Sequence, residues 1–107
     1  FLTAGDLDAA APGRIVLLQR ADGHATVAST AAMQQLGITA ETQAPFGGEI
    51  LKGPDGQPTG MFIDAAEQLL APLMPQADPE ATRSAYRAGF QVEARYGWTG
   101  IHSMSVP

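Results

Sequence analysis

Ile15-Val16-Leu17-Leu18-Gln19-Arg20-Ala21-Asp22-Gly23-His24-Ala25 is the stretch on which the reading of the fold turns. Ile15 to Leu18 are four consecutive apolar residues. A continuous run of this kind, rather than an alternating one, predicts a strand covered on both faces. It hands over at once to three ionisable side chains, Arg20, Asp22 and His24. The Asp22-Gly23 pair lets the chain turn sharply, because glycine tolerates positive φ. Strand ends that open into polar loops are where α/β proteins build their sites. A helix-start signal follows at Ser29, so the local order predicted is strand, charged turn, helix.

Upstream, Thr3 and Asp6 have the spacing of a weak capping box, and Leu2 and Leu7 that of a hydrophobic staple. They predict a short helix that Pro12-Gly13 stops. Downstream, Ser29 caps a helix to Leu36, and Gly37 suits the left-handed position beyond its end. Glu49-Ile50-Leu51-Lys52 and Gly60-Met61-Phe62-Ile63 predict two short strands. Between them, Gly53-Pro54-Asp55-Gly56-Gln57-Pro58 is dense in turn formers, so the pair predicts a β-hairpin over about 49–63. Pro58 places its strand at an edge.

Asp64-Ala65-Ala66-Glu67 repeats the capping-box spacing and opens a helix that buries Ala66, Leu69 and Leu70. Pro72 keeps it short. Asp78-Pro79-Glu80 then starts the longest helix, with Asp78 as cap and Pro79 as first helical residue. Ala81, Ala85, Ala88, Val92 and Tyr96 recur at helical spacing, and Gly97 ends it. Trp98 to Met104 is the last strand expected. The order predicts an α/β fold with parallel strands, interrupted by the hairpin.

The chain has 107 residues and a net charge of −5, with six Lys and Arg scattered along it. Nucleic acid and anionic membranes both require clustered basic residues, so neither is an expected partner. There is no Cys, which removes disulfides, thiolate catalysis and Cys-based zinc sites. No apolar run approaches the roughly 20 residues that span a bilayer. The compartment expected is the cytoplasm. Phe1 at the start and Ser105-Val106-Pro107 at the end lead us to expect an internal stretch of a longer protein.

Three blocks in this order are similar to a known family. They are Arg20-Ala-Asp-Gly-His24-Ala with the helix from Ser29 to Leu36-Gly37-Ile38; Pro45-Phe-Gly-Gly-Glu-Ile50 with Asp55-Gly-Gln-Pro-Thr-Gly60; and Gly97-Trp-Thr-Gly-Ile-His102-Ser-Met104. Together they resemble the YtcJ-like branch of the amidohydrolase superfamily, amidohydrolase family 3, with its N-substituted formamide deformylase and D-aminoacylase relatives. The resemblance implies a segment of a distorted (β/α)₈ barrel with an inserted β-hairpin, in a metal-dependent hydrolase of C–N bonds. A divalent metal, zinc first, would there activate water to attack a small-molecule amide. The family's metal ligands are a His-x-His pair, later histidines and a late Asp. None of these motifs is present here, so the resemblance implies a metal for the longer protein and no ligand within this segment. Where relatives often carry an acidic residue after the position of His102, this chain has Ser103.

The candidate pocket residues are Arg20, Asp22, His24 and His102. Arg20 could pair a substrate carboxylate or form a structural ion pair. Asp22 reads as a turn residue more readily than as an acid catalyst. His24 could hydrogen-bond a substrate carbonyl, or be pinned by Asp22 or by backbone. At the C-terminal end of a barrel strand His102 would face the site; the other reading places it in the core or behind the site. Gly47-Gly48 lacks the Lys-Ser/Thr of a phosphate loop, and no serine has a nucleophile-elbow context. The segment alone is expected to be inactive. Unpaired strand edges and uncovered apolar faces lead us to expect self-association. The reading of another class is a small non-catalytic α/β module that binds a ligand or partner.

Overall fold

The stretch from Arg20 to His24 reverses the chain into another strand instead of leading it into a helix. In the computed structural model, which describes residues 1–76 and 78–102, β1 (Leu17–Gln19) and β2 (Ala25–Ala28) form an antiparallel hairpin. Leu17 lies opposite Ala28 and Gln19 opposite Thr26. Gly23 takes φ +74°, as the turn requires, and its N–H donates to the Arg20 carbonyl at 2.9 Å. β2 is absent from the sequence reading, because Ala25-Thr26-Val27-Ala28 is too short and alanine-rich to signal a strand. All four of its residues are buried nonetheless.

The expectation of parallel strands is therefore corrected. The sheet runs β1-β2-β4-β3, with β3 at Gly48–Lys52 and β4 at Pro58–Asp64, and every neighbouring pair is antiparallel. A long connection carries α2 (Thr30–Gln35) and delivers β3 to the far edge. β4 then folds back between β3 and β2. Two tight hairpins dictate the direction of β1 against β2 and of β3 against β4, since a parallel pair would need a crossover between its strands. The doubly covered strand expected at Ile15 to Leu18 is an edge strand instead, with Ile15 and Leu18 about half exposed. Pro58 does not mark an edge either, because β4 is central. It is the first residue of β4, paired with Lys52, while β2 reaches only Met61 to Ile63. Its missing N–H thus removes no bond to β2.

Phe62 is fully buried at the middle of the sheet, with Ala28 and Ile50 beside it. Ala32 and Met33 of α2 and Ala66 and Leu70 of the following 3-10 helix cover that side. On the other side Ala25, Val27 and Met61 pack with Leu7 of α1 (Ala4–Ala10). Two glycines permit the close packing. A Cβ on Gly48 would lie 2.1 Å from the Ala66 nitrogen. One on Gly60, at φ +99°, would meet the Ala28 carbonyl oxygen at 2.7 Å and Ala4 at 2.8 Å.

The helix starts largely follow the sequence. Asp6 reaches back to accept from Thr3 N–H at 2.7 Å and from its hydroxyl at 2.8 Å. Ser29 caps α2, and Gly37, at φ +65°, donates to Gln34 while Ile38 donates to Met33, closing the last turn. Asp64 differs. It makes no capping bond, and the segment after it, Ala65–Leu73, is a 3-10 helix that runs through Pro72.

The second unit begins at Pro75. Asp78 accepts from the N–H groups of Glu80 and Ala81, and α3 runs over Pro79–Arg95 with Gly97 just beyond it. No residue of α3 is buried, and Tyr86 stacks on Phe90 with ring centres 6.1 Å apart. Trp98 to His102 do not form the expected strand, and Ser103 and Met104 lie outside the described residues. Among the described residues no helix is long and apolar enough to cross a membrane.

Candidate functional site

The β2–β4 register sets Ala25 opposite Ile63. One step further along the same ladder lie His24 and Asp64, the former ending the hairpin turn and the latter ending β4. The Asp64 N–H donates to the His24 carbonyl at 3.1 Å, and His24 Nδ1 stands 2.8 Å from Asp64 Oδ1. A carboxylate only accepts, so Nδ1 carries the hydrogen and Nε2 is left outward as the working nitrogen. Neutral, Nε2 accepts; protonated, it donates. Both side chains are more than half exposed, so the pair faces solvent.

Asp22 organises the turn beneath it. Both of its oxygens accept from Arg20 Nε, at 2.8 and 2.9 Å, and Oδ1 also accepts from the His24 N–H at 3.1 Å. The hydrogen bond from Arg20, then that from the His24 backbone, lowers the Asp22 pKa to about 2. The same hydrogen bond raises that of Arg20. The hydrogen bond to Asp64, with the charges of Asp64 and Asp22, raises the pKa of His24. The guanidinium spends only Nε on Asp22, and its two terminal nitrogens have no partner among the described residues.

Beside the pair, buried Thr26 donates to Glu67 Oε1 at 2.5 Å, tying β2 to the 3-10 helix. Asp64 itself has φ +48° and ψ −122°, the one positive φ outside glycine among the described residues. The backbone is thus held out of line where the carboxylate meets the imidazole.

Of the sequence candidates, the structure brings Arg20, Asp22 and His24 together. His102 lies in the second unit, exposed. Asp64 and Glu67 have the spacing of a capping box in the sequence, and nothing local to them marks them as partners of His24 and Thr26. The signal that could have found them is the β2–β4 register, which the missing strand concealed. Among the described residues no three His, Cys, Asp or Glu side chains gather so as to hold a metal ion.

The amidohydrolase family model matches residues 1–106. The chain is 38% identical over 103 residues to the putative amidohydrolase YtcJ of Bacillus subtilis, covering 96% of this chain and 20% of that protein. It is 36% identical over 83 residues to the Arabidopsis thaliana protein LONG AFTER FAR-RED 3, covering 78% and 14%. To the N-substituted formamide deformylase of Arthrobacter pascens it is 43% identical over 68 residues, covering 64% and 12%. The chain thus spans a fifth or less of the length of these relatives. No solved structure matches it.

Proposed function

Because this chain belongs to the amidohydrolase family, we propose that it is a segment of a longer hydrolase that cleaves amide-like C–N bonds in a small-molecule substrate. The family match over residues 1–106 carries this reading. We assign the (β/α)₈ barrel of that enzyme to the longer polypeptide, with the antiparallel sheet as a lobe beside its substrate pocket.

A divalent metal, zinc first, would supply the activated water in such an enzyme. The described residues do not fit it: the first unit holds one histidine, His24, whose Nδ1 is committed to Asp64. The metal cage is therefore assigned to other parts of the longer polypeptide. His24 is assigned to the substrate. With Nδ1–H held by Asp64, its Nε2 is presented to a substrate amide, accepting from the amide N–H when neutral and donating to the carbonyl oxygen when protonated. Asp22 keeps the turn in shape, and Arg20 keeps two outward donors for an anionic substituent.

The test is the longer enzyme with His24→Gln. Loss of one substrate hydrogen bond lowers kcat/KM by about tenfold, while bound metal stays at the wild-type ratio. Metal lost with His24 would overturn the ligand assignment, and unchanged kinetics would remove His24 from the pocket. Absence of any amide hydrolysis by the longer protein with its metal bound would end the reading. The 107-residue chain by itself is expected to hydrolyse no amide.

A further inference from the structure

The two edges of the sheet are built differently. β3 is an edge with defences: the register shifts between Ile50 and Lys52, Glu49 and Lys52 are charged, and Gly53-Pro54 ends the strand. Charges, bulges and proline are what keep an edge strand from pairing with another chain. β1 has none of them between Ile15 and Gln19. Its pairing with β2 also extends beyond its three residues, since Ser29 N–H donates to the Val16 carbonyl and Arg20 N–H to the Ala25 carbonyl. Val16 and Arg20 thus turn their backbone groups inward, and by alternation Leu18 does too. Leu17 and Gln19 turn theirs outward.

An apolar groove of about 330 Å³ lies beside this edge, and Phe1, Leu2, Leu18, Val27, Met61 and Arg20 are among the residues that line it. Leu2 and Leu18 are each about half exposed. The surface therefore offers an open backbone ladder and an apolar strip side by side.

Charge decides what completes it. Two β1 strands can pair antiparallel about a two-fold axis in a small number of registers. With Leu17 opposite Leu17, Arg14 falls opposite Arg20, and like charges oppose each other. With Leu18 opposite Leu18, the outward residues Leu17 and Gln19 face one another, each pair exchanging two backbone bonds. Arg14 then falls level with the Arg20–Gly23 turn of the other copy, which carries the Asp22 carboxylate. Arg14 has no ion-pair partner among the described residues. The strand is thus complementary to itself in one register. We propose that two copies of this chain join through their β1 edges in that register, with Leu18 on the axis. The sheet then continues across both copies, and each copy brings its Arg14 to the turn that holds Asp22, Arg20 and His24 in the other. This surface stands independently of the hydrolytic reading.

Sedimentation of the 107-residue chain from micromolar to near-millimolar concentration tests it. The expected result is a reversible rise to twice the monomer mass. Gln19→Pro removes an outward N–H without touching the β2 ladder, and it is expected to weaken the dimer at least about tenfold while the circular dichroism of the sheet is kept. Arg14→Asp, in the exposed loop before β1, weakens it as well. A monomer at every concentration overturns the proposal. So does a dimer that tolerates Gln19→Pro and Arg14→Asp at full strength. Exchange-protected Leu17 and Gln19 amides in a monomer overturn it too, since the edge would then be covered from within one chain.

Discussion

His24 and Asp64 are joined twice, by a backbone bond of 3.1 Å from Asp64 N–H to the His24 carbonyl and by a 2.8 Å contact between Nδ1 and Oδ1. The first bond fixes where the side chains begin and the second fixes how the imidazole is turned. Asp64→Asn keeps the backbone bond and removes the charge. His24 should then titrate closer to its ordinary 6.5, read by NMR of the ring protons against pH. A titration unchanged by Asp64→Asn would show that the carboxylate does not set the imidazole.

The pair also makes stability depend on pH. Folded, His24 binds its proton more tightly than it does unfolded, where its pKa is near 6.5. Its contribution is complete below that value and is lost as pH rises through the higher folded one. Asp22 acts in the opposite sense: its contribution is present above its ordinary 3.8 and is lost as pH falls through about 2. Urea midpoints should therefore fall as pH rises above about 6.5, and the fall should flatten in Asp64→Asn. Both groups are exposed, so the effect should shrink in added salt.

Glycines at Gly60 and Gly56 separate two causes of strain. At Gly60 an added Cβ meets backbone and α1 at 2.7 to 2.8 Å, and φ is +99° as well. At Gly56, φ is +77° but nothing lies within 4 Å. Gly56→Ala should cost about 1 kcal/mol through backbone conformation alone. Gly60→Ala should cost about 3 kcal/mol or more, because strand β2 and helix α1 must both shift. Chemical denaturation of the two variants gives the comparison, and equal costs would mean that the crowding at Gly60 relaxes freely.

How much of this was legible in the sequence depended on whether a signal was local. Ser29, Gly37, Asp78 and Gly97 announce helix ends through their own chemistry, and each stands where the sequence put it. The Asp55-Gly56 turn between β3 and β4 was likewise readable. β2 was not, because its burial comes from lying between β1 and β4 rather than from its composition. Without β2 the Arg20–His24 hairpin reads as a strand-to-helix loop, and the strand direction changes with it. The site suffered in the same way. Arg20, Asp22 and His24 sit within five residues and are legible together, whereas Asp64 meets His24 only through strand pairing and carries the local spacing of a cap.

Ser29 ties the segment before β1 to α2 through one oxygen. Its side chain is fully buried. Oγ accepts from the Val16 N–H at 3.0 Å, beside the start of β1, and from the Ala32 N–H at 3.3 Å, in the first turn of α2. It donates to the Arg14 carbonyl at 2.8 Å. Ser29→Ala would remove all three bonds, leaving the Val16 and Ala32 donors and the Arg14 acceptor to find water in a place that admits little. The capping bond to Ala32 is ordinarily worth about 1 kcal/mol, and the other two stranded groups cost about 1 kcal/mol each, so a loss of about 3 kcal/mol is expected. Ser29→Thr keeps the hydroxyl but adds a methyl to a site with no exposed area, so it should recover only part of that loss. Because Val16 leads into β1, the damage should extend past α2. Hydrogen exchange in Ser29→Ala should quicken at Leu18 as well as at Met33, and an effect confined to α2 would show that Ser29 is a helix cap and nothing more.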